Sequence, residues 1–434
     1  MGNRPSKGSA RRQTVSRNDR RRAAVEQRRE AVRRQARRET QRRRRRRVGI
    51  PLAVVVVLLA GGGIFALVAR GGGGGTPDYT LTSALAPPSD TPFSISTVPA
   101  AYHVVYKVDT AKSGGETGQD TTTQEYTVRR PFDAHLVSKS GAPPGTDEQW
   151  SLVWSMGKYG QTTAGSAPEV GQTAPQAALG DIRLDATLAD LVADGKFVAK
   201  ERRVVLDRQC QVYRTGSALE TLNVTAPTKT DYADACIDSS GLMLEEVVVS
   251  SGQLAERLLA TSVDDQTVPG DDAFAITGDP TPLAQGGSQL SPIDAATAPA
   301  EGYWSLPTPP EGYTLQGRYQ LLTPADQNSS SDPSASTTTT STTAPPAPVP
   351  SYIDVYVNGP NTIIVRQGPT AGEPQGDSGG TTVDVGKLGS APLSASLTGS
   401  RLLAHPAVPA AWYVELQGTV PRDTLKQVAT QFTN

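Results

Sequence analysis

AYHVVYKVDT, residues 101–110, and DEQWSLVWSM, residues 147–156, decide the fold. Tyr102, Val104, Tyr106 and Val108 alternate along the first, and Trp150, Leu152, Trp154 and Met156 along the second. A period of two puts each set on one face of an extended strand, which predicts antiparallel strands with one face on a core. Working outward, residues 122–130 and 133–140 read as the strands between them, and 204–213 and 243–250 as two more further on. Asp238-Ser239-Ser240-Gly241 joins two runs, with Asp first and Gly last as a type I turn favours. Helical signals are sparse. Residues 187–193 are one short candidate; 421–432 is another, with Pro421 in its first turn and Leu425, Val428, Ala429 and Phe432 along one face. The roughly 350 residues after the Gly71–Gly75 run therefore read as mainly β, in one large or two modest domains.

What precedes them is different in kind. VGIPLAVVVVLLAGGGIFALVA, residues 48–69, is uncharged, and at about 1.5 Å per helical residue it is long enough for the roughly 30 Å hydrocarbon core of a bilayer. Six consecutive arginines, Arg42 to Arg47, stand before it. Basic residues beside a transmembrane end stay in the cytoplasm, so the sequence predicts a single-pass signal anchor in the cell membrane, N-terminus inside and the rest extracytoplasmic. The apolar run is too long, and its n-region too long, for a cleaved signal peptide. Residues 1–47 carry nineteen arginines and Lys7 against four acidic residues, a net +16, whereas the whole chain is −1. The near-neutral total hides two opposite blocks. Residues 18–47 hold no Gly or Pro and are expected to be helical. The apolar positions are too small and few for a bundle, so the tail is read as a topology signal that also binds anionic lipid headgroups through Arg42–Arg47. It has no aromatic residues to stack on bases, which argues against nucleic acid as the partner.

The two cysteines, Cys210 and Cys236, both fall on the extracytoplasmic side and on consecutive strands, and are expected to form a disulfide. PADQNSSSDPSASTTTTSTTAPPAPVP, residues 324–350, has too little apolar surface to offset its ordering entropy and reads as disordered. No catalytic residue, metal ligand set or cofactor motif is legible. His103, His135 and His405 are scattered, and no H-E-x-x-H, G-x-S-x-G or P-loop occurs.

Two regions carry a resemblance. In residues 198–250 a strand pair leads to a hairpin at Asp238, Gly241, Leu242 and Leu244, and VPGDDAFAI follows at 268–276. EGYTLQGRYQLL (311–322), YIDVYVNGPNTIIVRQGP (352–369) and the C-terminal strand WYVELQG with its helix form the second. Together they resemble LolA-like and RseB-like periplasmic proteins. The resemblance implies a mainly β, α+β architecture: a half-open antiparallel β-barrel with a small α+β C-terminal domain. It also implies that 311–322 and 352–365 are neighbouring strands, so that the Ser/Thr/Pro tract is an insertion within the small domain.

The expected organisation is a cytoplasmic tail (1–47), the anchor (48–69), a Gly-rich spacer (70–80), the LolA/RseB-like domain (81–285) and a connector (286–305). The small domain follows as 306–323 and 351–434, interrupted by 324–350. The family implies non-catalytic binding of a lipid, a lipoprotein or another hydrophobic partner. The alternatives are a regulator that binds an anti-sigma factor, an envelope stress ligand or another envelope protein, and an envelope enzyme with an unrecognised site. Tyr102, Val104, Tyr106, Trp150, Leu152, Trp154 and Met156 are the candidate ligand surface: plain core in a closed sandwich, groove wall in a half-open barrel.

Overall fold

Alternation at half-buried positions produces strands over most of the stretches where the sequence shows it. The computed structural model describes residues 79–96, 98–111, 119–140, 147–178, 180–222, 224–294, 303–324, 347–374, 380–409 and 411–433. The basic tail with its helix candidate, the apolar segment 48–69, most of the spacer and nearly all of the Ser/Thr/Pro tract lie outside the described residues. Among those described, no helix is long and apolar enough to cross a membrane.

The first strands are β1 (Ala84–Leu85), β2 (Ala101–Ala111), β3 (Gln119–Arg129), β4 (Asp133–Ser140), β5 (Asp147–Ser155), β6 (Lys158–Thr163) and β7 (Glu169–Gln172). Helix α1 (Leu184–Ala193) leads to β8 (Val198–Val205), β9 (Arg208–Thr215), β10 (Tyr232–Asp238), β11 (Met243–Ser250) and β12 (Gln253–Asp264). These form one twelve-stranded sheet in the order β1-β8-β9-β10-β11-β12-β2-β3-β4-β5-β6-β7. It consists of two antiparallel meanders joined where β12 pairs with β2, Leu258 opposite Val108. The order runs from one edge strand to the other without closing into a barrel.

Expected strands and observed ones differ at two tight turns. Residues 204–213 are not one strand: Val205 pairs with Arg208 across Leu206-Asp207, both at positive φ (50° and 61°). That turn lacks the Gly or Asn that normally announces it, and the apolar alternation continues through it. Met156 likewise leaves the strand it was expected to extend. It sits with Gly157 in the turn between β5 and β6, at φ 42° and 80°, while Ser155 pairs with Lys158. Helix α1 begins three residues before the expected 187, and Gly195 at φ 69° follows its end, where a residue without Cβ tolerates the left-handed conformation.

The second sheet is built from β13 (Gln289–Ile293), β14 (Thr314–Thr323), β15 (Val349–Asn358), β16 (Asn361–Pro369), β17 (Thr381–Asp384), β18 (Ser390–Ser396), β19 (Gly399–Ala404) and β20 (Trp412–Gly418). Its order is β13-β14-β15-β16-β20-β19-β18-β17. β13 lies in the stretch read as a connector and adds an edge strand beside β14. α2 (Arg422–Ala429) packs Leu425, Val428 and Ala429 onto one face, with Trp304, Val414, Leu416 and Phe432 in the same core. The other face packs Leu321, Ile353, Val355 and Ile364 on Phe132 of the β3–β4 turn, with Met156 partly buried beside them. Arg183, 1% exposed, links the sheets through hydrogen bonds to Pro360 O (2.8 Å) and Asn361 Oδ1 (2.5 Å).

β14 and β15 pair from Thr314–Val357 to Thr323–Val349, so the Ser/Thr/Pro tract connects two hydrogen-bonded neighbours. Loop-closure entropy varies slowly with length. Replacing residues 327–347 by a short Gly/Ser turn is therefore expected to leave the calorimetric melting temperature nearly unchanged. A large drop would mean that the tract packs on the sheet.

Cys210 on β9 and Cys236 on β10 are disulfide-bonded with Cα atoms 5.3 Å apart, both fully buried. Closing this loop stabilises by about 3 kcal/mol in the chain-entropy model. Residues 80–85 cross the sheet as a strap on the same face. Glu245, fully buried, accepts hydrogen bonds from Thr82 N (2.6 Å), Thr82 Oγ1 (2.8 Å), Ser83 N (3.2 Å) and Ser83 Oγ (2.5 Å). Arg203 donates to Leu81 O and Ser83 O, and Arg257 to Thr80 O.

Candidate functional site

Successive residues of a strand point to opposite faces. Glu245 holds the strap, so Glu246 points to the other side, where its Oε1 accepts from Leu219 N at 2.7 Å. That second face carries the aromatic residues. The register places Tyr102 opposite Val128, Val104 opposite Tyr126, and Trp154 opposite Tyr159. Tyr106 meets Tyr126 edge-on (5.6 Å, 87°), Trp154 stacks on Tyr159 (6.1 Å, 7°) and Phe197, just after α1, tilts onto Tyr213 (5.6 Å, 51°).

The chain itself covers this face. The loop 173–183 between β7 and α1 crosses it: Ala178 N donates to Pro131 O, and a side chain at Gly180 would meet Tyr126 and Leu136 at 3.5–3.6 Å. A buried ion pair latches the loop down. Arg130 donates from Nε and Nη2 to the two oxygens of Asp181 (2.8 and 2.6 Å), with side chains 1% and 2% exposed. Arg130 also donates to Pro99 O and lies 5.1 Å from the Tyr102 ring centre, and the Tyr102 hydroxyl donates to Asp181 at 3.3 Å. The Tyr106 hydroxyl donates to Met243 O at 2.7 Å.

Of the candidate ligand residues, Tyr102, Val104, Tyr106, Leu152 and Trp154 share this face, each at most 6% exposed. Trp150 is only half-buried, and Met156 belongs to the turn that packs toward the second sheet. The alternation did not reveal Tyr126, Tyr159, Tyr213, Phe197 or the Arg130–Asp181 latch. Tyr126 was within reach, because it lies on a strand the pattern found. The latch joins residues 51 positions apart, and no local signal announces it.

The tyrosines of this face are uncharged. Burial, then the charge of Asp181, pushes the Tyr102 hydroxyl up, and burial, then Glu246, does the same to Tyr106. Burial and then Glu169 push Tyr159 up to about 12. All three stay protonated at ordinary pH. One donor is unused: Trp154 Nε1 is buried without a hydrogen-bond partner. Such a group costs about 1–3 kcal/mol unless an acceptor is supplied.

The loop has a second side. A cleft of about 210 Å³ opens between the two sheets, with Gln176, Gly180 and Leu222 on one wall and Thr362, Arg401 and Gln417 on the other. Arg401 and Gln417 both donate to Glu415 Oε1, at 2.6 and 2.9 Å. Among the described residues no group of three or more His, Cys, Asp or Glu side chains stands together as a metal site would.

The fold defines a class of two-sheet, antiparallel β-proteins. No family model matches the sequence, and no curated protein matches it. Among solved structures the chain is similar to the complex of MucA and MucB from Pseudomonas aeruginosa. Identity there is 15%, over 77% of this chain and 93% of that one, with a TM-score of 0.28. It is similar to MucB alone at 16% identity, over 77% and 92%, with a TM-score of 0.26. A LolA superfamily protein from Nitrosomonas europaea is similar at 11% identity, over 42% of this chain and 92% of that one, with a TM-score of 0.20.

Proposed function

We propose that this chain is a non-catalytic binding protein of the cell envelope, held at the membrane by residues 48–69, whose large sheet takes a hydrophobic ligand on its aromatic face. The ligand class is a lipid or the acyl chains of a lipoprotein, and the sheet then acts as a half-open barrel. One observation carries the reading. Five buried candidate residues share one face with Tyr126 and Tyr159, and loop 173–183 of the chain itself lies over that face. The unpaired Trp154 Nε1 adds a donor for a carbonyl at the ligand's head. Opening a loop latched by the Arg130–Asp181 pair is a smaller rearrangement than parting a closed sandwich.

Residues 77–434 are expected to bind a fluorescent fatty acid saturably. Trp150→Ala, at the half-buried rim, should weaken binding at least several-fold with little change in melting. No saturable binding of the probe, and no lipid found by mass spectrometry of the purified protein, would refute the lipid reading.

A second reading rests on the inter-sheet cleft. Loop 173–183 covers the aromatic face on one side and walls the cleft on the other. A regulator of the RseB-like kind would seat the exported part of an anti-sigma factor there. Arg401→Ala would then abolish capture of that partner while leaving the fatty-acid titration unchanged.

A further inference from the structure

The strap continues past β1, and its later part forms the wall of a second, separate cleft. Ala86 N donates to Arg202 O at the β8 edge; the chain then rounds that edge, so that Phe93 meets Tyr213 at 6.4 Å. Ser96 N donates to Ser239 O in the β10–β11 turn. Between residues 89–96 and the two hairpin turns lies a cleft of about 580 Å³. That is within the roughly 300–1,000 Å³ of small-molecule sites.

The chemistry of its lining is uneven. The charged groups are already used. Arg208 donates to Asp238 (2.7 Å), Asp265 (2.8 Å) and Ser240 Oγ (3.1 Å). Arg202 donates to Thr91 O (2.5 Å) and Gln211 Oε1 (3.3 Å) and sits 6.0 Å from the Phe93 ring centre. Asp238 also accepts from Ser240 N and Leu242 N. The uncharged groups are not used. The hydroxyls of Thr91, Ser94, Ser96 and Ser239 and the side-chain amide of Gln209 line the same cleft. None of them hydrogen-bonds within the described protein. Hydroxyls and amides both donate and accept, and Phe93 supplies an apolar ring among them.

We propose that this cleft binds a neutral carbohydrate. The four hydroxyls and the Gln209 amide exchange hydrogen bonds with sugar hydroxyls, and the Phe93 ring supports the C–H face of a sugar ring. An anionic ligand is not favoured, because Arg208 is paired with Asp238 and Asp265, and the second of these carboxylates offsets the charge of Arg202, which itself donates to Thr91 O and Gln211 Oε1. A purely apolar ligand would leave five polar groups desolvated without partners. The cleft adjoins the aromatic face at the Phe93–Tyr213 contact, but none of its lining residues is among the candidate ligand residues of that face.

The test uses the full-length chain in mild detergent on an array of neutral N-acetylglucosamine, galactose, mannose and arabinose oligomers beside phosphorylated and sulfated glycans. Saturable binding confined to neutral glycans is expected, weakened at least tenfold by Gln209→Ala and by Phe93→Ala. Phe93 also packs on Tyr213, so Ser94→Val and Ser239→Val, which remove only exposed hydroxyls, provide the same readout if Phe93→Ala melts early. Absence of binding to every neutral glycan, binding unchanged by Gln209→Ala, Ser94→Val and Ser239→Val together, or preference for acidic glycans overturns the proposal.

Discussion

Exchanging Arg130 for alanine is expected to cost about 3–5 kcal/mol of unfolding free energy, among the largest effects available at any single position in this chain. The guanidinium is the charged partner of Asp181, and both side chains are all but inaccessible to water. Removing it leaves a carboxylate in the interior with the Tyr102 hydroxyl as its remaining side-chain donor. The same change frees Pro99 O and takes the cation from the Tyr102 ring. Most of the cost is the uncompensated charge, so the double variant Arg130→Leu/Asp181→Leu is expected to recover much of it, since an apolar pair of similar bulk is often neutral. Urea unfolding of the two variants measures this. Equal loss in both would show that packing of the loop, not charge, holds it down. The single variant should also bind the fatty-acid probe faster, because the latch holds the cover over the aromatic face.

Trp154→Ala is expected to cost a similar amount, about 3–5 kcal/mol, because the ring is 1% exposed and stacked on Tyr159. Trp154→Phe separates volume from polarity. It deletes an indole N–H that has no partner, and losing an unsatisfied donor offsets part of the lost bulk. Its expected cost is therefore no more than about 1.5 kcal/mol. A loss as large as that of the alanine variant would mean that the N–H has found an acceptor in solution, such as a bound lipid.

The strands were legible in the sequence because burial on one face writes itself as alternation. β2, β4, β5 and β11 fall where the pattern places them. Pro421 and the apolar stripe of 425–432 likewise announced α2. The failures have physical reasons. Leu206-Asp207 turns the chain without glycine, and Leu206 is 45% exposed, so an apolar residue in a turn passed for one in a strand. Met156 kept the alternation by one position too many, and its φ of 42° shows the strand already over. Of the candidate ligand face, the rings were legible and their cover was not. Loop 173–183, TAPQAALGDIR, is short and made mostly of small residues, and its latch depends on Asp181, whose partner Arg130 lies in the distant β3–β4 turn.

The strap across the outer face also sets how the molecule bears a load. A pull on the chain from the N-terminal side of residue 80 reaches the sheet at Thr82 and Ser83, whose four bonds converge on Glu245, and at Arg203. These bonds lie across β8 and β11, so tension is shared laterally among strands already stitched by the disulfide between β9 and β10. The other meander, β2–β7, and the whole second sheet lie outside that line of force. Under such a pull the load falls on the corner cross-linked by Glu245, Arg203 and the disulfide, and the strands that carry Trp154 and Tyr159 do not bear it directly.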